Sequence, residues 1–376
     1  MYPRLIIDLI KVKNNLDRTI EMVKGSGSSL MIVTKGYCAD MEIYNLLEKS
    51  NIDYLADSRI QNLKKYEKTK KERVLLRLPM MSECDEVVRY ADISLNSEIE
   101  TIKKLNKSAS KQNKKHKILL MIDLGDLREG IFFKNEDEIF QTVEEILKLS
   151  NIELFGLGVN LTCYGAVIPK KENLSILVEL AAKIENKFNI KLQMISGGNS
   201  SSVYLIGKKE LPDGINNLRV GEAFLLGDET AYSQMLEGFY DDAFLLEAEI
   251  IELKEKQSVP IGETGVDAFG NKPVYDDLGV IKRAIIAVGR QDVDPDNLHP
   301  IDSKISILGA SSDHLILNVH NSDNNYKVGD VVKFKLSYSS LLRATTSSAY
   351  VEKVYIGDDL LTSGNTADKD LVTSNR

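Results

Sequence analysis

The sequence contains little cysteine and little histidine. Its three cysteines, Cys38, Cys84 and Cys163, are odd in number and widely separated, so neither a disulfide framework nor a cysteine metal site is expected. The four histidines also lack the spacing of metal ligands. We therefore predict that the protein binds no metal and is located in a reducing cytoplasm.

Long apolar runs and an excess of positive charge are also missing. No stretch approaches the roughly 20 apolar residues of a membrane-spanning helix, and the first residues lack the apolar core of a signal peptide. With 48 basic and 56 acidic residues, the net charge is −8, which gives no general attraction to nucleic acids or anionic membranes. We predict no nucleic-acid or membrane partner.

Short apolar runs alternate with amphipathic segments over the first two thirds of the chain. The runs predict strands and the segments between them predict helices. The predicted strands are residues 30–34, 52–56, 74–78, 93–96, 118–122, 154–159, 192–195 and 218–220. Because strands that alternate with helices pair in parallel, these units predict an α/β fold, a (β/α)₈ barrel of the TIM type.

The pattern changes after about residue 235. From there the sequence shows strand-like segments separated by turns, without a strong helix among them. A carboxy-terminal β domain is therefore predicted.

Polar residues at the ends of the predicted barrel strands are candidates for the active site, because that site lies at the carboxyl ends of barrel strands. Lys35 directly follows the first strand, and such a lysine can form a Schiff base. The alternative is a solvated lysine at a strand end. The seventh strand ends in residues 196–202, which hold two glycines and four serines. They predict a phosphate cradle at a helix amino terminus, with an ordinary capped loop as the alternative.

Two arginines complete the set of unusual strand-end residues. Arg219 lies between apolar neighbours on the eighth strand, where its charge needs a specific partner. A salt bridge across the barrel would also explain it. Arg128 follows the fifth strand, where it could bind a carboxylate or be a surface charge.

Along the chain the four elements follow one another as Lys35, Arg128, the loop at residues 196–202 and Arg219. This order resembles the alanine racemase family. The resemblance covers nearly the whole chain except the last twenty or so residues. It implies a pyridoxal 5′-phosphate (PLP) enzyme, an amino-acid racemase, whose substrate is a small molecule and whose homodimer has its site at the subunit interface. Residues 3–8 resemble the family's opening strand, which joins the β domain. The implied domains are a barrel at residues 10–232, a β domain at 1–9 and 233–357, and a polar, loosely ordered tail at 358–376.

Three longer stretches resemble the family members that act on ornithine. They are residues 56–63, 158–165 and 265–273. They imply interconversion of L- and D-ornithine by proton transfer between two bases. Racemisation of lysine or alanine, a non-catalytic PLP-binding homeostasis protein and a related lyase or decarboxylase remain alternatives.

The sequence departs from alanine racemase at three positions of the site. The tyrosine that serves as the base opposite the lysine is replaced by Asp267. A modified lysine that orients the strand-five arginine is replaced by Met121, and the histidine that packs on the cofactor ring is replaced by Asn160. The identity of the opposite base is therefore the open part of the resemblance.

The resemblance implies a role for each site residue. Lys35 would be the base on one face of the substrate, and Asp267 the base on the other, with Cys163 and Tyr164 as rivals. The implied cofactor-binding residues are Lys35, Asn160, Ser196, Gly197, Gly198, Asn199, Ser200, Ser201, Arg219, Gly221 and Tyr350. The substrate-binding candidates are Arg128, Asp126 and Asp313, and the side-chain ammonium could pair with Asp126, Asp267, Asp292 or Asp313.

Overall fold

A computed structural model of the protein describes residues 1–357. They divide into two compact units, one formed by Lys13–Tyr240 and the other by Met1–Val12 with the chain from Asp241 onward. We call them the barrel unit and the β unit. The predicted tail at residues 358–376 lies outside the described residues, and the predicted domain boundaries remain a prediction.

The β unit contains the first strand of the chain, and the barrel unit contains the next nine. The strands are β1 (Arg4–Asp8), β2 (Ser29–Val33), β3 (Tyr54–Asp57), β4 (Glu72–Leu75), β5 (Ile93–Asn96), β6 (His116–Asp123), β7 (Ile131–Phe132), β8 (Ile152–Val159), β9 (Met194–Ser196) and β10 (Asn217–Val220). Parallel pairing runs β2–β3–β4–β5–β6–β8–β9–β10 and returns to β2, so these eight strands close a barrel. The predicted barrel is confirmed.

Helices surround this barrel. They are α1 (Leu9–Gly25), α2 (Met41–Glu48), α3 (Ile60–Lys64), α4 (Cys84–Tyr90), α5 (Ile99–Lys111), α6 (Glu136–Leu147), α7 (Lys171–Phe188), α8 (Tyr204–Lys208) and α9 (Glu222–Leu226). A short hairpin, β11 (Asp228–Glu229) and β12 (Gln234–Met235), follows them.

The barrel strands read as continuous apolar runs because side chains on both of their faces are buried. One set of side chains forms a buried cluster that includes Met31, Val33, Ala56, Val74, Ile93, Leu95, Leu119, Met121 and Met194. With its interior filled in this way, the barrel leaves its strand ends as the place for a site.

The β unit is built around a mainly antiparallel sheet. Besides β1, its strands are β13 (Phe244–Gln257), β14 (Val280–Ile286), β15 (Leu298–Pro300), β16 (Ser306–Ala310), β17 (Leu315–Asn318), β18 (Val331–Leu336) and β19 (Glu352–Ile356). The order is β15–β18–β13–β14–β17–β16, and β1 pairs with β13 and, in parallel, with β19. The predicted β domain is thereby confirmed.

A helix in the β unit contradicts one expectation. Residues Tyr338–Thr346 form α10, although the sequence predicts no strong helix in this region. The helix buries Leu341, Ala344 and Thr345 on one face, but its serines and threonines are weak helix formers, which hides the pattern.

None of the helices among residues 1–357 is long and apolar enough to cross a membrane.

Candidate active site

Lys35 stands at the carboxyl end of β2. The chain turns at once into a short 3₁₀ helix, Lys35–Tyr37, which is followed by Cys38 and Ala39 in the left-handed region, with φ of 56° and 51°. Tyr37 is fully buried and anchors this turn, whereas Lys35 is partly buried. The sharp reversal keeps the lysine at the barrel rim.

Asp57, the last residue of β3, is a buried carboxylate beside this turn. It accepts hydrogen bonds from Thr34 Oγ1 at 2.5 Å, from the Arg59 amide at 2.8 Å and from Asn62 Nδ2, which lies 3.1 Å from both oxygens. Burial raises the pKa of Asp57, and the hydrogen bonds and the charge of Lys35 oppose that rise. Asp57 therefore ties the lysine turn to the next strand.

Glu222 is a second carboxyl group within electrostatic range of Lys35. It opens α9 directly after Gly221 and is half-buried. Burial and the charge of Asp228 raise the pKa of Glu222 to about 7, while Lys35 lowers it. Neither Asp57 nor Glu222 is among the predicted site residues, although both stand where a barrel strand ends, which is the signal that could have found them.

The loop after β9 has the shape that the cradle prediction requires. A Cβ at Gly197 would lie 2.5 Å from Ile215 Cγ2, and one at Gly198 would lie 2.5 Å from Ser202 Oγ. Gly198 also adopts φ +114°, which side-chain-bearing residues rarely adopt. The two glycines are therefore needed for the path of this loop.

The serines of the cradle have distinct partners. Ser200 Oγ accepts hydrogen bonds from the amides of Gly221 and Ala223, each at 3.2 Å, and so joins the cradle to the end of β10. Ser201 Oγ is buried and has no hydrogen-bond partner among the described residues. A buried hydroxyl in need of a partner, at the start of the 3₁₀ helix Ser200–Ser202, fits a phosphate group.

Arg219 is buried inside the barrel next to the cradle. It is 3% exposed and donates to Ser196 Oγ and to the Val159 carbonyl, both at 2.6 Å. Burial lowers the pKa of Arg219 to about 10, so the guanidinium keeps its proton at neutral pH. Both of these acceptors, a hydroxyl and a carbonyl, are neutral groups. They differ from the salt bridge that the sequence also allowed.

Met121 and Gly158 lie beside this arginine. A Cβ at Gly158 would lie 2.8 Å from Met121 Sδ and 3.8 Å from an Arg219 guanidinium nitrogen. Met121 is fully buried. An apolar side chain thus fills the position where the resemblance to alanine racemase implies a modified lysine.

Asp126 holds the loop that follows β8. Its Oδ1 accepts the amides of Thr162 and Val167 at 3.0 and 3.2 Å, and its Oδ2 accepts those of Cys163 and Tyr164 at 3.3 and 3.0 Å. Each oxygen thus accepts two backbone amides. This carboxylate therefore shapes the loop, and the substrate contact predicted for it stays a prediction.

The same loop brings Cys163 next to two asparagines. Asn199 Nδ2 lies 3.4 Å from Cys163 Sγ, 3.1 Å from Asn160 Oδ1 and 3.0 Å from the Leu161 carbonyl. The Asn160 Nδ2 atom is buried without a partner among residues 1–357. Cys163 itself is exposed and not in a disulfide, so its thiol is available at the rim.

Arg128 is paired with its neighbour. Its guanidinium forms an ion pair with Glu129, and this hydrogen bond raises the pKa of Arg128. Arg128, Glu129 and Cys163 all lie within electrostatic range of Arg219. The structure therefore brings Arg219 close to these three groups. The guanidinium of Arg128 is already paired with a carboxylate of the chain itself.

The remaining predicted site residues belong to the β unit. Asp267 Oδ1 accepts the amides of Phe269 and Asn271 at 2.9 and 2.8 Å, and the Asn271 bond is the main cause that lowers the pKa of Asp267. Tyr350 donates its hydroxyl to the Ala287 carbonyl at 2.9 Å.

Asp313, also in the β unit, is held by its sequence neighbours. Its Oδ1 lies 3.0 Å from His314 Nδ1 and 3.1 Å from the hydroxyls of Ser311 and Ser312. The histidine bond lowers the pKa of Asp313. Asp267 and Asp313 are thus both held by local turns.

Comparison with curated proteins identifies close relatives. The chain is 54% identical to an ornithine racemase from Acetoanaerobium sticklandii, covering 94% of this chain and 99% of that protein. It is 40% identical to a lysine racemase from Thermotoga maritima, again over 94% and 99%.

The fold has known counterparts as well. An alanine racemase from Bartonella henselae, solved with covalently bound pyridoxal phosphate, superposes with a TM-score of 0.69 at 16% identity, covering 95% of this chain and 100% of that one. The family model for the alanine racemase N-terminal domain matches residues 7–228, which include every strand of the closed barrel. The chain therefore belongs to the alanine racemase family.

Proposed function

We propose that this protein is a PLP-dependent racemase that interconverts L- and D-ornithine. The observation that carries the proposal is the 54% identity to an ornithine racemase over 94% of the chain. The lysine racemase relative, at 40% identity, supports the same reaction on a similar diamino acid. Lysine and alanine remain the alternative substrates.

The cradle and the two basic residues of the barrel fit the cofactor. Ser201 Oγ, buried without a partner among the described residues, would receive a hydrogen-bonding partner in the phosphate. Lys35 would hold the cofactor aldehyde, and Arg219 would face the ring nitrogen. Because the Arg219 guanidinium keeps its proton at neutral pH, it would donate a hydrogen bond to that nitrogen without giving up the proton, and the nitrogen would stay unprotonated.

Racemisation needs a proton carrier on each face of the substrate. When bound, PLP withdraws electrons from the α-carbon of the amino acid. Lys35 Nζ would take the α-proton on one face or return it there. A second group must perform the same exchange on the opposite face.

Cys163 is our choice for the second proton carrier. Its thiol is exposed at the rim, accepts the Asn199 amide and lies within electrostatic range of Arg128 and Arg219. Hydrogen bonds lower the pKa of the rival Asp267, which moves it further from the operating pH, where a general base works best. A free thiol also suits a reducing compartment, so a cytoplasmic location stays our prediction.

Arg128 would bind the substrate carboxylate after exchanging its partner. Glu129 now pairs with the guanidinium, and a substrate carboxylate offers the same bidentate geometry. Asn160, whose Nδ2 lacks a partner among residues 1–357, would contact the cofactor in place of the family's histidine.

A homodimer is part of the proposal. Residues 258–279 of the β unit form no helix or strand and expose apolar side chains, including Ile261 at 91% and Val274 at 94%. Exposed apolar surface of this kind marks protein interfaces. A second copy of the chain would cover it, with the site at the subunit interface.

The first experiment is incubation of the PLP-loaded protein with L-ornithine, L-lysine or L-alanine in heavy water, followed by chiral chromatography and mass spectrometry. We expect D-ornithine with deuterium at the α-carbon as the main product. Absence of every D-isomer would refute racemisation and favour a PLP carrier or a lyase.

The second experiment separates the two faces. Cys163→Ala should slow racemisation by about 10²- to 10⁴-fold, while Lys35 still exchanges the α-proton of one enantiomer with retention of configuration. Asp267→Asn is the matched variant. If Asp267→Asn slows racemisation but keeps the α-proton exchange of one enantiomer, and Cys163→Ala racemises at the wild-type rate, Asp267 is the second proton carrier.

A further inference from the structure

A diamino acid substrate carries a terminal ammonium, and this charge needs an acceptor when it leaves water, because an unpaired buried charge is costly. Of the four aspartates considered for this task, only Asp126 belongs to the barrel unit, and its two oxygens already accept four backbone amides. Three residues further along the same loop, Glu129 pairs with a side chain instead. A carboxylate bound to a side chain can exchange its partner, so Glu129 is the candidate acceptor.

The backbone next to Glu129 fixes this residue at the end of β6. Strand β7 begins two residues later and pairs in parallel with that end, Ile131 opposite Ile122. Between them Gly130 adopts φ +120°, and a Cβ there would lie 2.6 Å from the Asp123 amide nitrogen. The chain therefore passes tightly against the strand end, which places Glu129 on the rim of the barrel.

The carboxylate of Glu129 lies among the groups of the candidate active site. It forms a bidentate ion pair with Arg128, whose Nη2 lies 2.5 Å from Oε1 and whose Nε donates to Oε2. Its side chain is only 14% exposed. Burial lowers the pKa of Arg219, and the charge of Glu129 opposes that drop more than the charge of Cys163 does. Because Arg219 donates to Ser196 at the start of the cradle, the charge of Glu129 acts beside the cradle.

Binding of an amino acid at Arg128 would change the charge balance at Glu129. When the guanidinium turns to the substrate carboxylate, Glu129 loses the cation that neutralises it. A carboxylate with so little exposure is costly when it is unpaired. A monoamino acid brings no charge to replace the guanidinium, whereas a diamino acid brings its own ammonium.

We propose that Glu129 is a specificity-determining residue, whose carboxylate pairs with Arg128 in the free protein and binds the terminal ammonium of a diamino acid in the substrate complex. The inference rests on the proposed racemase function and deepens it. No covalent bond changes in this exchange, in which two ion pairs with the substrate replace one ion pair within the chain. Substrates without a terminal charge leave Glu129 unpaired and are selected against.

The length of ornithine suits two adjacent residues. Five bonds separate its carboxyl carbon from its terminal nitrogen, so the extended substrate spans about 6 Å between its two charges. The Cα atoms of Arg128 and Glu129 are about 3.8 Å apart, as in any trans peptide, and their long side chains can separate further at the tips. One substrate molecule can therefore reach both charges of the pair.

The test compares L-ornithine with L-norvaline, which has the same carbon chain but no terminal ammonium. Deuterium incorporation at the α-carbon in heavy water gives kcat/KM for both. We expect Glu129→Gln to lower the ornithine-to-norvaline ratio of kcat/KM by at least about 30-fold, since removing one partner of a buried charge pair is strongly unfavourable. Glu136→Gln makes the same change at a carboxylate that pairs with Lys183 on the surface and should leave the ratio unchanged.

A purely structural role for Glu129 would give a different pattern. If the carboxylate only orients Arg128, Glu129→Gln lowers kcat/KM for both substrates by the same factor, because both carry the carboxylate that Arg128 binds. That result would overturn the inference. Glu129→Asp retracts the carboxylate by one methylene and should shift the preference from ornithine towards L-lysine, which is one methylene longer. An unchanged lysine-to-ornithine ratio in this variant would contradict the ammonium contact.

The outcomes separate the inference from the function on which it rests. Wild-type protein that racemises no diamino acid would refute the proposed function directly. Wild-type protein that racemises ornithine, together with an unchanged ornithine-to-norvaline ratio in Glu129→Gln, would refute only the role of Glu129.

Discussion

The two sides of the barrel rim hold their candidate catalytic residues, Lys35 and Cys163, in place by different means. Beside Lys35, Asp57 accepts hydrogen bonds mainly from side chains, those of Thr34 and Asn62. Beside Cys163, Asp126 accepts backbone amides alone. We call these the lysine side and the cysteine side.

The difference follows from the local structure on each side. The lysine side joins the ends of two paired strands, β2 and β3, so the backbone is fixed by the sheet and the carboxylate only adds cross-links. The cysteine side is an irregular loop in which Thr162 and Ala166 adopt the left-handed region, with φ of 66° and 53°. Its shape depends on one carboxylate. The lysine side should therefore respond to mutation mainly in its chemistry, and the cysteine side in both structure and chemistry.

The largest effect is expected on the lysine side. Lys35→Ala should lower ornithine racemisation by about 10⁴-fold or more, since the proposed role of the residue includes both cofactor binding and proton transfer. The free energy of unfolding of the cofactor-free protein should change by less than about 1 kcal/mol, because the sheet fixes this turn. Turnover by chiral chromatography and urea denaturation measure the two effects.

Lys68→Ala, at an exposed position, is the control for this variant and should keep full activity. Covalent cofactor binding together with racemisation in Lys35→Ala would contradict the assignment of the lysine.

The barrel and its rim could largely be predicted from the sequence. Parallel strands are buried on both faces, so their apolar runs are visible without partners, and the active site of such a barrel has a fixed location. Lys35 and Arg219 could therefore be singled out by their positions alone.

The tasks of the carboxylates could not be predicted in this way. Asp126 meets its four amides only because Thr162 and Ala166 turn the loop back on itself, and a single sequence does not specify such a path. Asp292 likewise accepts the Ser347 hydroxyl at 2.6 Å only because Ser347 caps the helix α10.

A smaller but structural effect is expected on the cysteine side. Asp126→Asn replaces one acceptor oxygen by an amide group that faces two backbone donors. It should therefore lower the free energy of unfolding by about 2–6 kcal/mol, given about 1–3 kcal/mol for each unsatisfied group. Activity should fall as well, because Cys163 loses its position. Urea denaturation and racemase assays at a permissive temperature measure both effects.

Asp123→Asn is the matched control, because Asp123 is the last residue of β6 and Asp126 follows shortly after that strand. The Oδ1 of Asp123 accepts the amides of Gly125 and Leu127, and an asparagine oxygen can accept both, so the cost should stay below about 1 kcal/mol. Equal losses of stability in the two variants would contradict the conclusion that Asp126 fixes the shape of the loop on the cysteine side.

The smallest effect is a pH dependence on the lysine side, at Glu222. Burial raises the pKa of Glu222 from 4.5 to about 7, so the folded state binds this proton more tightly than the unfolded state. The resulting contribution to stability is fully present below pH 4.5 and is lost as the pH rises through about 7. We expect the unfolding free energy of wild type, relative to Glu222→Gln, to fall by about 3 kcal/mol across this window.

The charge of Lys35 allows a further test of this pH dependence, because it lowers the pKa of Glu222. In a Lys35→Ala background the same loss of stability should therefore move to higher pH, which urea titrations of the cofactor-free proteins at a series of pH values can measure. If the unfolding free energies of wild type and Glu222→Gln change in parallel with pH, the carboxyl group of Glu222 has the same pKa in the folded and the unfolded state. If the stability loss occurs over the same pH range in Lys35→Ala, the charge of Lys35 does not act on the carboxyl group of Glu222.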